Sequence, residues 1–443
     1  MNHLSDEPWQ NADPFRAAFG TGGLGVTRHA MELTLIAGCA FLAPFNTFRV
    51  DGFYFTVSDM FALAALLAMI LNRSLPSANL GQMTVLWNAG FMLFGVMLLA
   101  SSLVFGEADR GFVITGQYFY SYVILSYVLL SRSWSDTVVI LKAFTLSVAV
   151  ICLHGIYLID VLAERNTVFV SGSGRLLGLV ERGNEFSALI AATVPLLLWL
   201  VCSGSLKARW LCLALPIYTY AIMLTGSNTG LFALLFAIGA FIAIYGTIRQ
   251  ILMTGAGFAL VMSAVLTWAK DFLPAIFQKR VLGAVASGDI DQAGTFVGRM
   301  KLIRDALGRI DQSMIFGIGA DRYRETSTLK APVHNTYLLI WAEGGFLSLA
   351  GFLLMLVAAV ILALMAFRRP GGKLAACCAL VSVALFALTL NAMPHLYARF
   401  LVMPLLLGLA PCICLARSGV VPAGVARYAV GAAPERTPRR VEI

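Results

Sequence analysis

Runs of about twenty apolar residues, separated by short polar connections, recur along nearly the whole chain. A run of this length spans the hydrocarbon core of a bilayer when it forms an α-helix. A transmembrane barrel would instead show short segments of alternating polarity. The pattern therefore predicts an all-α, polytopic membrane protein with about twelve transmembrane helices. The predicted spans are residues 30–48, 57–72, 83–105, 112–130, 137–160, 185–203, 208–225, 229–247, 249–267, 335–367, 374–392 and 398–416.

One long polar segment interrupts this pattern, between the ninth and the tenth predicted span. It covers residues 268–333 and holds ten Lys and Arg residues. Residues 270–294 are compatible with a short amphipathic helix, and residues 297–310 predict a second helix. We expect any chemistry that the chain carries out to take place in this loop. The predicted apolar face of the second helix consists of Met300, Ile303, Leu307 and Ile310.

Lys and Arg are divided unequally between the two sets of alternate short connections. Positive residues concentrate in cytoplasmic loops, so the richer set is expected to be cytoplasmic and the long loop to lie outside. Both termini then fall inside, and residues 417–443 have the composition of a disordered tail. The richer set carries Arg73, Arg132, Lys207, Arg209, Arg249, Arg368, Arg369 and Lys373, and the poorer set carries Arg49, Arg110 and Arg399.

The domain plan follows from these assignments. Residues 1–29 form a cytoplasmic segment, residues 30–267 the first nine spans, residues 268–333 the outer loop, and residues 334–416 the last three spans. Charged residues interrupt the first thirty positions, so we expect a retained first helix rather than a signal peptide.

Composition supports this class and excludes others. The chain is 59% hydrophobic and 12% charged, about half the charged fraction of a soluble domain. The net charge of +9 has no predicted soluble domain to carry it, so we expect no nucleic-acid partner. The eight cysteines all lie in or beside apolar runs, and we interpret them as small hydrophobic residues.

Motifs for nucleotide or metal chemistry are missing from the sequence. It contains no Walker loop, dinucleotide fingerprint, HExxH or GxSxG motif. The carboxylates in and beside the long loop form no paired-acid or metal-ligand pattern. We therefore expect neither a cofactor nor a metal.

Arginines on the predicted outer side are the main candidates for ligand binding. The planar guanidinium forms two charge-assisted bonds to a phosphate, and the anion available at this depth is a lipid head group. Two interpretations stay open at this point, namely simple adhesion to phospholipid and recognition of a diphosphate-linked lipid substrate.

His334 and Asn335 stand where the tenth apolar run begins. A histidine at this interface is suited to act as a general base near neutral pH, although it can also serve only as a hydrogen-bond partner. Asn335 can orient the ring or cap the helix. Gly317 and Gly319 allow positive φ or close backbone approach.

Four sequence pieces resemble, in the same order, those of the O-antigen ligase and polysaccharide polymerase superfamily. Residues 178–188 resemble its helix start at span six, and residues 225–231 its small polar turn. Gly298-Arg299 with Gly317-Ile-Gly319 resembles the family's loop helix and glycine turn. His334-Asn335-Thr-Tyr337, followed by Glu343-Gly-Gly345, resembles its His-Asn helix start. Two features depart from the pattern: Asn228 replaces the usual arginine of the turn, and the Arg-x10-Gly pair of some O-antigen polymerases is missing.

The resemblance implies a membrane glycosyltransferase on the periplasmic face of the bacterial inner membrane. Its donor would be an undecaprenyl-diphosphate-linked glycan, and its acceptor a hydroxyl of another glycan or of lipid A-core, with inversion and without metal. Membrane lipids and polysaccharide-assembly proteins are the other expected partners.

The implied roles centre on His334, which would take the acceptor proton. The other implied roles are Arg299 and Arg182 as diphosphate ligands, with Arg304, Arg322 and Arg175 as further candidates, Asn184 and Asn335 as orienting groups, and Gly317 and Gly319 as the turn that brings loop amides close to sugar or phosphate.

Several alternatives share the predicted architecture. A polymerase and a protein-directed oligosaccharyltransferase use the same donor chemistry, and one dominant outer loop favours the ligase. A lipid-linked glycan transporter is the alternative from another class. Transporters place ionisable groups near the midplane of the bilayer, whereas the predicted spans are nearly free of such groups, so the transporter is disfavoured.

Overall fold

The computed structural model describes residues 23–50, 54–264, 267, 273–283, 296–394 and 397–418. About three quarters of these residues are helical, and the sheet within them consists of two short antiparallel strands. The predicted segments 1–22 and 419–443, the end of the ninth span and much of 268–294 lie outside the described residues.

A helix lies at the position of each predicted span. In chain order the helices are α1 (Gly23–Leu42), α2 (Val57–Leu71), α3 (Thr84–Phe105), α4 (Ala108–Phe119) continued by a π-helical Tyr120–Ile124 and by α5 (Leu125–Leu129), α6 (Trp134–Ile156) continued by a π-helical Tyr157–Val161, α7 (Gly183–Cys202), α8 (Ala208–Thr225), α9 (Asn228–Tyr245), α10 (Ile248–Ala264), α11 (Ala275–Phe277), α12 (Phe296–Gln312), α13 (Arg322–Thr326), α14 (Thr336–Phe367), α15 (Lys373–Thr389) and α16 (Arg399–Ser418).

Eight helical stretches in the described part of the chain are long and apolar enough to cross a membrane, and α2 and α15 are shorter apolar helices. The all-α membrane class is therefore confirmed. The count of twelve crossings and the position of the long loop outside the membrane stay predictions.

The first helix differs from its predicted span, because it ends at Leu42 rather than at residue 48. Proline disfavours helical backbone in the residue before it, and Pro44 follows closely. The chain then forms a hairpin of β1 (Arg49–Val50) and β2 (Phe55–Thr56), in which Arg49 pairs with Thr56. The hydrophobic pattern did not predict this hairpin.

Small residues allow α3 and α14 to pack closely at the centre of the bundle. A Cβ on Gly351 of α14 would lie 2.4 Å from the backbone nitrogen of Phe94 in α3. Two helices can approach in this way only where side chains are small. The tight contact fixes the part of α14 around Gly351 against α3.

The loop helix α12 confirms the prediction of a helix over residues 297–310. Its buried face consists of Leu302, Ala306 and Ile310, whereas Leu307 is 45% exposed. The predicted face was therefore shifted around the helix. The reason is tertiary, since the 302–306–310 row packs with Tyr323 and with Leu339 of α14.

The long helix α14 is interrupted at Gly345, whose φ is 77° and ψ is 178°. The glycine turn of the loop fills the break. The amide of Ile318 donates to the Ala342 carbonyl at 2.9 Å, and that of Gly319 donates to the Glu343 carbonyl at 2.9 Å. The segment of α14 before Gly345 is thus held against the loop.

Candidate functional site

A cavity of about 220 Å³ opens where α7 and α14 begin. Predicted site residues from two distant parts of the sequence meet in its wall. These are Arg175, Arg182 and Asn184 from the segment that leads into α7, and His334 from the start of α14. Glu181, Glu185 and residues 392–394 complete much of the wall.

Arg175 is held by neutral acceptors. Its Nε donates to the Thr225 carbonyl at 2.9 Å, and its Nη2 donates to Asn184 Oδ1 at 2.9 Å. No carboxylate in the described part of the chain forms an ion pair with it. The guanidinium is therefore fixed in place while its charge is not neutralised.

Two further guanidiniums, those of Arg280 and Arg299, act on Arg175. Burial, followed by the charges of Arg280 and Arg299, lowers the pKa of Arg175 to about 10. Burial also lowers the pKa of Arg299, and the Nε of Arg299 is buried without a hydrogen-bond partner in the residues described. We call Arg175, Arg280 and Arg299 the arginine cluster.

Arg280 was not among the residues predicted from the sequence. Burial and the charge of Arg299 lower its pKa. Its Cδ lies 3.4 Å from the place that a Cβ on Gly226 would occupy. Nothing local distinguishes Arg280 from its neighbour Lys279, so only the three-dimensional arrangement reveals it.

The turn between α8 and α9 contains Gly226, the residue that Arg280 approaches. Gly226 adopts φ 57° at the end of α8, and the Ser227 side chain accepts a bond from the Gly230 amide at 3.2 Å. This confirms the tight polar turn predicted for residues 225–230. Arg175 and Arg280 both approach it, although Asn228 brings no cation of its own.

His334 is half-buried at the cavity wall. Burial lowers its pKa below the usual 6.5, the charges of Arg299 and Arg182 lower it further, and a hydrogen bond with the Ala392 backbone partly opposes this. A carbonyl is the backbone group that stabilises a ring N–H, so one ring nitrogen is expected to donate there. The other nitrogen is then left as an acceptor on a neutral ring.

Asn335 caps α14 beside His334. Its Oδ1 accepts a bond from the Leu338 amide at 3.1 Å, and its Nδ2 donates to Asn391 Oδ1 at 3.3 Å. The first bond satisfies an amide at the helix start. The second ties the helix start to the segment that precedes the cavity residues 392–394, which favours a positioning role.

Two other arginines near the cavity already have carboxylate partners. Arg182 lies 3.1 Å from Glu185, and Arg49 lies 2.7 Å from Glu181. Their charges are therefore partly neutralised within the protein, in contrast to those of Arg175 and Arg299.

Six predicted residues do not line the cavity wall, and two of them, Arg299 and Asn335, have been described above. Arg304 and Arg322 are exposed elsewhere on the loop. Gly317 and Gly319 have φ of 72° and 99°, and their amides donate to the carbonyls of Ser313 and Glu343. These glycines pack the loop onto the bundle, and their amides are already used by the protein.

The wall is suited to an anion rather than a cation. In the described ranges no group of three His, Cys, Asp or Glu side chains is placed to hold a metal. Both carboxylates in the wall are paired with arginines, Glu181 with Arg49 and Glu185 with Arg182, whereas the guanidinium of Arg175 has no carboxylate partner in the described part of the chain.

Residues 211–353 match the family model described as O-antigen ligase. No curated protein matches the chain. The matched region includes Arg280, Arg299, His334 and Asn335, whereas the segment that supplies Arg175 precedes it. The match confirms the resemblance found in the sequence and supports a membrane enzyme of the glycan ligase or polymerase type.

Proposed function

We propose that the protein transfers a glycan from an undecaprenyl-diphosphate carrier to an acceptor hydroxyl at the periplasmic face of the bacterial inner membrane. The reaction is that of an O-antigen ligase, with lipid A-core as acceptor. Both termini lie in the cytoplasm in this scheme, and the loop 268–333 lies in the periplasm.

The arginine cluster beside His334 is the observation that carries the proposal. The three guanidiniums are half-buried and repel one another, and neither Arg175 nor Arg299 has a carboxylate partner in the described structure. A diphosphate supplies the two neighbouring anionic groups that would relieve this repulsion through charge-assisted bonds.

His334 is the proposed base in the transfer step. The neutral ring accepts the proton of the acceptor hydroxyl as the hydroxyl oxygen attacks the anomeric carbon. The bond from that carbon to the diphosphate oxygen breaks, and its electron pair stays on the diphosphate. A direct displacement of this kind inverts the anomeric configuration.

The arginine cluster stabilises the leaving group. Negative charge grows on the bridging oxygen as the bond breaks, and preorganised guanidiniums next to that oxygen lower the barrier. Arg182 is a weaker candidate ligand because Glu185 already holds it. Asn184 positions Arg175, to which it is hydrogen-bonded.

The decisive experiment is transfer by the purified protein in nanodiscs. The protein is given the lipid-linked glycan, with and without lipid A-core, and the products are separated on a gel. A single shift of the acceptor is expected for a ligase. A ladder on the carrier without added acceptor would assign a polymerase instead.

His334→Ala is expected to abolish transfer while the protein still inserts and binds the carrier. His29→Ala is the matched control, because His29 pairs with Asp136 near the start of α6 and touches no residue of the cavity. Full activity of His334→Ala would remove the proposed base. Movement of the lipid-linked glycan across the membrane, without any transfer product, would favour the transporter.

A further inference from the structure

An aromatic side chain that the proposed chemistry does not use is connected to the cavity wall through Arg49 and Glu181. Tyr54, next to β2, is 43% exposed. The guanidinium carbon of Arg49 lies 5.8 Å from the centroid of its ring. Arg49 in turn pairs with Glu181, which lines the cavity together with His334. Tyr54, Arg49 and Glu181 are thus joined by successive contacts, and we call these three residues the rim platform.

The backbone holds two of these residues in a conformation that L-residues rarely adopt. Tyr54 has φ of 48° and Glu181 has φ of 68°. Left-handed backbone in bulky or charged residues persists only where the surroundings enforce it. The two residues that contact Arg49, Tyr54 and Glu181, therefore both have left-handed backbone.

The hairpin that bears Tyr54 is fastened to the cavity. The Thr47 amide donates to the Leu179 carbonyl at 3.0 Å, and the Thr47 hydroxyl donates to the same carbonyl at 2.9 Å. Leu179 belongs to the short 3-10 turn that leads directly to Glu181. The rim platform is therefore positioned by the same segment that builds the cavity wall.

We infer that the rim platform binds a pyranose ring of the glycan substrate. This inference rests on the proposed function. The apolar face of a pyranose stacks on an exposed aromatic ring, while its hydroxyls both donate and accept, which matches Glu181 and Arg49 side by side. A second phosphate is disfavoured there, because Glu181 already neutralises Arg49. The sugar belongs either to the donor glycan or to the acceptor.

The test uses the full-length protein in nanodiscs and three measurements. These are the affinity for bare undecaprenyl diphosphate, the affinity for the lipid-linked glycan extracted from the host, and the acceptor concentration at half-maximal transfer. Tyr54→Asn removes the ring while asparagine tolerates left-handed backbone. Tyr54→Phe keeps the ring. Tyr157→Ala is the matched control, because Tyr157 is also an exposed tyrosine, at 50%.

Tyr54→Asn is expected to leave the affinity for the bare carrier unchanged. It should weaken the binding of either the glycan-bearing donor or the acceptor by about threefold to tenfold. Tyr54→Phe, which keeps the ring, should retain most of the wild-type affinity. If donor binding is weakened, the sugar at the rim platform belongs to the donor. If acceptor binding is weakened, that sugar belongs to the acceptor.

Two results would overturn the inference. One is a Tyr54→Asn protein that matches Tyr157→Ala in all three measurements, and the other is an equal loss for the bare and the glycan-bearing carrier. Failure of the proposed function is visible separately, because the wild-type protein would then give no shifted acceptor in the transfer assay.

Discussion

The positive charge of Arg299 acts on the imidazole of His334, which lies in the cavity wall. Burial lowers the pKa of His334, and the charge of Arg299 lowers it further. A residue proposed as a phosphate ligand therefore also keeps the proposed base in its neutral form. A diphosphate bound to the arginine cluster would offset the positive charge of Arg299. Binding of this anion would therefore raise the pKa of His334, and its release would lower that pKa again.

The pH dependence of transfer should report this coupling. The neutral imidazole is the active form, so activity is retained above the pKa of His334 and is lost as pH falls through it. Because that pKa lies below 6.5, the acid limb of the profile is expected below this value. Arg299→Gln removes a repelling charge, so the pKa rises and the limb moves to higher pH.

The measurement is the residual transfer rate over roughly pH 5 to 8, where histidine titrates. Lys301→Gln is the control, because Lys301 is an exposed cation on the same helix. A limb that stays in place, or that moves to lower pH in Arg299→Gln, contradicts the coupling.

Inorganic pyrophosphate should bind the arginine cluster and raise the unfolding temperature of the purified protein. Arg175→Met, Arg280→Met and Arg299→Met should each weaken this binding by about tenfold to a hundredfold, because each removes charge-assisted bonds. Without pyrophosphate, Arg299→Met should be at least as stable as the wild type, because it relieves repulsion on Arg175 and Arg280.

Lys301→Met serves again as the control and should bind pyrophosphate like the wild type. If it weakens binding as much as the three cluster variants do, the effect is one of overall charge and the cluster is not a site. Unchanged binding in all three cluster variants would have the same consequence.

Local patterns were sufficient to predict the helices, the loop helix α12 and the turn at residues 225–230. Apolar runs and turn residues are properties of neighbouring positions, and the structure follows them there. The meeting of Arg175, Arg182, Asn184 and His334 at one cavity was expected only through the family resemblance, since periodicity carries no information about such long-range contacts.

The features that were missed depend on contacts between distant segments. The hairpin of β1 and β2 is too short for a periodic signal, and it is fixed by bonds from Thr47 to Leu179. Arg280 reaches the cluster only because α11 and the π-helical segment Gln278–Leu282 that follows it lie against Gly226. Gly317 and Gly319 were assigned to ligand contact, but their φ values serve the packing of the turn into the break of α14.

The break at Gly345 should be essential for folding. A Cβ there would lie 1.9 Å from the Ile315 carbonyl oxygen, and its φ is 77°. Gly345→Ala is therefore expected to destabilise the protein by about 3 kcal/mol or more, measured by unfolding in detergent. Gly308→Ala is the matched control, since its Cβ would meet nothing within 4 Å.

Gly308 lies inside the exposed part of α12, where alanine is a better helix former than glycine. Gly308→Ala should thus stabilise the protein by about 0.5–1 kcal/mol. Equal stability of the two variants would show that the break at Gly345 can straighten without cost, which contradicts the packing described for the loop.

Transfer should persist in EDTA. The arginine cluster neutralises the diphosphate in the proposed mechanism, so no divalent ion is required for charge stabilisation. The check is the gel assay after dialysis against chelator, with magnesium or manganese added back to a second sample. Loss of activity that either metal restores would show that the arginines alone do not support the reaction.

The cavity must face the periplasm for the proposed donor to reach it. The test starts from a protein in which the exposed Cys212 has been changed to Ser. A single cysteine is then introduced at Lys330 or at Arg368, which are both exposed positions. The two cysteines should report opposite sides of the membrane. A membrane-impermeant maleimide should label Lys330→Cys in cells with a permeabilised outer membrane. It should label Arg368→Cys only after lysis, because the connection after α14 is predicted to be cytoplasmic. The reverse pattern would place His334 and the arginine cluster in the cytoplasm, away from the lipid-linked glycan, and would remove the proposed reaction.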